Sequence, residues 1–181
     1  MTTLEVPDQS FTTTDPNAIR EHLNARGIIF ERWEARAPLA EDATQEDVLA
    51  AYDHALRPYM EKHGYQTADV IRVHPKVENI DAIRGKFLDE HTHSEDEVRF
   101  FVEGKGAFWF NLERPDSPPF CLVCEAGDFI SVPAGTKHWF DMGAEPTVTA
   151  IRVFSNVEGW VPNYTESGVS QRYNKPYASA L

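Results

Sequence analysis

An antiparallel β-barrel or sandwich, preceded by a helical N-terminal region, is the fold this sequence predicts. Between residues 97 and 154 the chain falls into six short segments: Glu97 to Val102, Ala107 to Leu112, Pro119 to Cys124, Phe129 to Val132, His138 to Met142 and Thr147 to Phe154. Turn residues separate them at hairpin distance, which makes sequential strands antiparallel neighbours. The first eighty residues carry helix caps and helical spacing instead. With 181 residues, 41% of them hydrophobic and 12% aromatic, the chain can bury one sizeable core and is short for two domains.

Taken in order, Asp15 is placed as an N-cap, Pro16 at the first helical position and Gly27 just beyond Arg26, which brackets a first short helix. Ile28 to Trp33 reads as a strand. Thr44, followed by Glu46 and Asp47, opens a second helix in which Ala51, His54 and Ala55 share a face, and Gly64 closes it. Pro58 is expected to kink or divide that helix, because it lacks an N–H and crowds the preceding turn. The stretch ADVIRVHP is extended, and Ile80 to Leu88 forms a third helix. From Asn156 to Leu181 the chain is rich in Pro, Ser, Tyr and Asn, so it is expected to wrap the barrel surface and fray at its end. One domain results, with a mixed α/β region over about residues 1–84, a barrel core over about 85–155 and a wrapping tail.

Seventeen basic residues against 29 acidic ones give a net charge of -12, which disfavours nucleic acid and anionic membranes as partners. A small molecule is the better expectation. No window approaches the roughly 18 consecutive apolar residues of a membrane span, and MTTLEVPDQSFTTTDP lacks a secretory pattern, so a cytoplasmic protein is expected. Cys121 and Cys124, three apart on a strand, point to opposite faces and are read as buried, reduced thiols. Without a long exposed apolar strand or heptad stripe, a monomer is expected.

The chemistry concentrates in two runs. Gly85, His91, His93, Glu97 and Gly104 form G-x5-H-x-H-x3-E-x6-G; Gly127, Pro133, Gly135 and His138 form G-x5-P-x-G-x2-H. Residues two apart on a strand share a face, so His91 and His93 can present their imidazoles to one point, and Glu97 has the same parity. His138 re-enters after the Pro133 to Gly135 turn and completes a set of three histidines and one carboxylate, typical of a redox-active iron, nickel or manganese centre. In octahedral geometry such a site leaves two adjacent positions open, which suits a bidentate enediol, catechol or keto acid. Arg99 shares the Glu97 face and can stabilise an oxyanion, or else forms a rim ion pair. Glu90 and Asp96 adjoin ligands and can orient imidazoles or remain solvated loop carboxylates. Phe140 shares parity with His138, as a cavity wall or an ordinary core ring. His22, His54, His63 and His74 lack ligand spacing and read as structural or exposed.

The two motifs together resemble those of metal-binding cupins, which implies a jelly-roll barrel. More specifically, KFLDEHTHSEDEVRFFVEGKGAF, SVPAGTKHWFDMG and TAIRVFSNVEGW resemble the acireductone dioxygenase family of methionine salvage, and the likeness extends through NARGIIFERWEA. The resemblance implies one Fe2+ or Ni2+ per chain on His91, His93, Glu97 and His138. It also implies Arg99 as proton-handling residue, Glu90 and Asp96 as acids around the centre, and Trp160 as an aromatic beside the substrate. That substrate would be 1,2-dihydroxy-3-keto-5-methylthiopentene, split with O2 into formate and 4-methylthio-2-oxobutanoate on iron, or formate, carbon monoxide and 3-methylthiopropanoate on nickel. Two rivals stand beside this reading: another cupin dioxygenase or isomerase, and a non-catalytic ligand-binding cupin.

Overall fold

The computed structural model describes residues 1–34, 39–40, 42–156 and 161–177. In chain order the elements are β1 (Thr3–Val6), a 3-10 turn (Pro7–Gln9), β2 (Phe11–Thr13), α1 (Pro16–Asn24), β3 (Ile29–Arg32), α2 (Gln45–His63), β4 (Thr67–Val73) and α3 (Ile80–Leu88). There follow β5 (His91–Thr92), β6 (Glu97–Phe110), β7 (Phe120–Glu125), β8 (Asp128–Val132), β9 (His138–Asp141), β10 (Val148–Phe154), β11 (Asn163–Tyr164) and α4 (Val169–Tyr177).

The caps act where the sequence places them. Asp15 accepts a hydrogen bond from the Asn17 amide at 2.9 Å, and Thr44 forms a reciprocal capping box with Asp47. Gly64 ends α2 in the left-handed conformation at φ 76°, where glycine pays no Cβ penalty. Pro58 does not divide α2, which runs unbroken from Gln45 to His63. The carbonyl deprived of its helical partner belongs to His54, which is exposed like Pro58 itself, so water can satisfy it.

Every strand pairing is antiparallel. One sheet runs β11-β5-β9-β6-β7-β1-β2, and a second, β4-β10-β6-β8-β3, shares β6 with it. Among the described residues the strand pairing does not close into a ring, so the barrel is a two-sheet sandwich joined through one long strand. The segments Glu97 to Val102 and Ala107 to Leu112, expected to be separate, are halves of β6. Its first half pairs with β8 and β10, its second with β7 and β9.

The register against β10 slips by one residue where Thr149 faces Glu103 and Ala150 faces Phe101. A strand with an extra residue exchanges its faces. Accordingly Glu97, Arg99 and Phe101 point into the sandwich before the slip, and Phe108 and Phe110 after it, while Val98, Phe100 and Val102 join the separate cluster under α2 with Val48, Tyr52 and Leu56. Gly104, at φ 77°, sits beside the slip against Thr147, whose carbonyl oxygen a Cβ would overlap.

Both inner faces meet in one core containing Leu4, Phe101, Phe108, Phe110, Ile130 and Phe140. The outer face of the β9-β6-β7 region is covered by α4, with Trp109, Trp139, Cys121 and Tyr173 in contact. The tail is therefore more ordered than its composition predicts. It pairs through β11 with β5, and α4 docks by Trp139 Nε1 donating to Asn174 at 2.7 Å and Tyr173 donating to Asp8 at 2.8 Å. The fraying expected at the extreme C-terminus, residues 178–181, falls outside the described residues. Cys121 and Cys124 are free and buried, on the outer and inner faces of β7 respectively, as their spacing requires. Among the described residues no helix is long and apolar enough to cross a membrane.

Candidate metal centre

Strand pairing brings the two motifs together. His91 on β5 lies opposite His138 on β9, and His138 also pairs with Phe110 on β6. Glu97 faces Val132 at the end of β8, so the Pro133 to Gly135 turn returns the chain directly over the carboxylate. That turn is fastened to the ligand loop twice. The Gly135 amide donates to the His93 carbonyl at 2.9 Å, and the Ala134 amide donates to Asp96 at 2.9 Å.

Ligand atoms of His91, His93, Glu97 and His138 all lie within 4.8 Å of one another, and all four residues are buried. Each imidazole is held through Nδ1 by a backbone carbonyl: His91 by Asp89 at 2.7 Å, His93 by Val161 at 3.1 Å and His138 by Thr136 at 2.8 Å. An Nδ1–H donating to a carbonyl leaves the Nε2 lone pair free. Burial, reinforced by the neighbouring His138, pushes His91 down to about 4, so it is neutral at pH 7. Nε2 of His138 and of His93 then face the same Glu97 oxygen at 2.8 and 3.1 Å. Acceptor facing acceptor at that distance calls for a cation between them. The donor set of three nitrogens and one carboxylate oxygen fits a divalent transition-metal ion.

The other Glu97 oxygen meets Arg99 Nε at 2.7 Å. Burial by itself raises a carboxyl's pKa, but the Arg99 cation overrules it and holds Glu97 well below the usual carboxylate range. Arg99 is 3% exposed, which removes the alternative of a rim ion pair. Its guanidinium lies over three rings, 4.8 Å from Phe140, 5.2 Å from Phe108 and 5.8 Å from Phe87. Phe87 comes from α3, and Arg84 on the same helix pairs with buried Asp141 on β9 at 3.0 Å.

Glu90 and Asp96 stand beside the ligands, yet the imidazoles are turned by carbonyls. The buried Glu90 carboxylate accepts from Thr165 at 2.6 Å, Asn111 at 2.7 Å and Ser167 at 2.8 Å. Burial alone would raise its pKa, and these donors bring it below its ordinary value. Asp96 takes the Ala134 amide and the Tyr65 hydroxyl, the latter at 3.2 Å. Trp160 lies outside the described residues. Phe140 is buried in the main core cluster with its ring 4.8 Å from the Arg99 guanidinium, a placement compatible with both of its readings. Phe87 and Phe108 escaped sequence reasoning: the former sits on a helix of modest amphipathicity, and the register slip reverses the parity of the latter.

Residues 5–162 match the ARD/ARD' family. Among curated proteins, an acireductone dioxygenase of a Picosynechococcus species is 56% identical over 173 residues, spanning 96% of this chain and 97% of that protein. The acireductone dioxygenase of Aquifex aeolicus is 46% identical over 162 residues, 90% of this chain and 87% of its own. Among solved structures, the Bacillus anthracis acireductone dioxygenase with a cadmium ion in its active centre superposes with a TM-score of 0.81 at 30% identity, covering 91% of this chain and 98% of that one. A site of this composition, on a fold shared across the whole length and with a family match over most of the sequence, places the chain in the ARD/ARD' family.

Proposed function

We propose that this protein is a metal-dependent acireductone dioxygenase, which cleaves 1,2-dihydroxy-3-keto-5-methylthiopentene with O2 in methionine salvage. The observation that carries the reading is the convergence of three Nε2 lone pairs and one Glu97 oxygen on a buried point beside a buried arginine. A bound Fe2+ or Ni2+, one per chain, would supply Lewis acidity and the redox capacity that dioxygen chemistry needs. His91, His93, Glu97 and His138 hold it. That the related Bacillus anthracis protein holds cadmium in its active centre supports a divalent ion here.

Arg99 keeps its proton at neutral pH and places a fixed positive charge where the enediol must ionise. Glu97 orients it. Phe87, Phe108 and Phe140 wall off water and offer an apolar surface to a methylthio tail; the family resemblance adds Trp160 as a substrate-binding aromatic. Glu90 holds the tail against β5, and Asp96 holds the turn that delivers His138. Both acids thus serve catalysis by position. The two buried thiols, pushed well above their usual pKa by burial, suit a reducing cytoplasm, and we assign the working unit as a monomer.

The test is to mix iron- and nickel-loaded protein separately with the enediol under air, following its absorbance, oxygen uptake and products. Formate with 4-methylthio-2-oxobutanoate is expected from the iron form. Formate, carbon monoxide and 3-methylthiopropanoate are expected from the nickel form. Absence of oxygen uptake with both metals overturns the assignment, whereas identical products overturn only the dependence on metal.

A further inference from the structure

Gly106 is buried in the second half of β6, paired with Cys124 on β7. Its backbone is not in the left-handed region, so the conformation itself admits any residue. What excludes a side chain is Phe140. A Cβ at this position would overlap Cζ of that ring and lie 2.6 Å from Cε2 and 3.1 Å from Cε1. Phe108 is the direct partner of Phe140 across the β6–β9 ladder, which makes Gly106 its diagonal neighbour on the interior face. The tip of the ring occupies the space that a side chain at 106 would fill.

The opposite consequence lies on the ring's face. Arg99 sits 4.8 Å above Phe140, and Arg99 Nε reaches Glu97 at 2.7 Å, whose second oxygen faces His93 and His138. A continuous train of contacts therefore runs from Gly106 through Phe140 and Arg99 to the metal ligands. Phe140 is also hemmed in by Phe101 at 6.2 Å and Phe108 at 4.8 Å between ring centroids. A ring driven off Gly106 shifts against these neighbours, the Arg99 guanidinium among them.

We infer that Gly106 is a positioning residue for the reaction, the slot that seats Phe140 so that its face supports Arg99 over the metal centre. The inference rests on the dioxygenase reading for its kinetic consequence but not for its structural one. A double-mutant cycle with Gly106→Ala and Phe140→Leu separates the two, since leucine lacks the ring atoms that the new methyl would strike. Alone, Gly106→Ala is expected to lower Tm by roughly 3–10 °C, the cost of overpacking a dense core. Its kcat per bound metal should fall about tenfold to a hundredfold, with metal content kept and KM changed far less. Added to Phe140→Leu, the same alanine should cost almost nothing in either Tm or kcat. Equal losses of Tm in both backgrounds would overturn the slot. A cycle coupled in Tm but with unchanged kcat per bound metal would overturn the positioning role. Failure of the unsubstituted protein to consume the enediol would defeat the dioxygenase reading, and the Tm cycle would still decide the slot.

Discussion

The two halves of β6 point their side chains into the same interior and fill it in opposite ways. Before the register slip the strand delivers Glu97 and Arg99, a buried charged pair; after it, Phe108 and Phe110, two stacked rings 5.9 Å apart. Buried charge costs several kcal/mol per ion before any partner repays it, so the first half is poor material for stability. In the function proposed above, that cost is offset by the roles of Glu97 at the metal and Arg99 beside it. The second half earns back folding energy, since each fully buried aromatic contributes on the order of 1.5–3 kcal/mol through burial. One strand thus carries the reactive site and part of the core that holds it.

The comparison breaks hardest at the polar half. His91→Ala, His93→Ala, Glu97→Ala and His138→Ala each remove one of four converging ligands, and each is expected to lose most bound metal, with affinity down by more than about a hundredfold. Metal-to-protein ratios after dialysis check this directly. Full metal retention in any one variant removes that residue from the set. Arg99→Ala is expected to keep its metal and lose turnover by about a hundredfold or more, because a preorganised charge is taken from a dry site.

At the apolar half the loss should change kind. Phe110 is fully buried and touches Phe108 and Phe120. Phe110→Ala is expected to cost about 3–5 kcal/mol of stability, read as a fall in denaturation midpoint, with metal still bound at temperatures where the variant is folded.

Much of this contrast was legible in the sequence. Ligand types at strand spacing identify the metal centre, and the caps at Asp15 and Thr44 bracket their helices through local hydrogen bonds. The continuity of β6 was not legible. Gly104 and Gly106 look like a turn, whereas one relieves a contact with the Thr147 backbone and the other makes room for Phe140. The Nδ1 acceptors are backbone carbonyls, which every residue type supplies, so no motif marks them. Two of the three side-chain partners of Glu90, Thr165 and Ser167, lie some 75 residues away in a polar tail. That tail is held by pairing with His91 and Thr92 and by the docking of α4, long-range contacts that composition does not reveal.

The smallest effect sharpens the comparison at the edge of the apolar core. Burial, followed by the charge of Arg26, pushes His22 down to about 4 from 6.5, and its ring meets Phe120 edge-on at 5.0 Å. Between those two values the unfolded chain takes up a proton that folded His22 refuses. Stability is therefore complete above about 6.5 and declines as the pH falls toward 4. His22→Gln should shrink the Tm loss across that window by about 3 °C, measured as the difference between variant and parent at each pH. An unchanged difference would show that His22 is not a source of the decline.

The division of labour along β6 is tested most directly by turnover per bound metal in Arg99→Ala and Phe110→Ala, measured side by side on the enediol at a temperature where both are folded. The expected result is a fall of about a hundredfold or more for Arg99→Ala and a change of no more than a few-fold for Phe110→Ala. Comparable losses in the two metal-replete variants would contradict it.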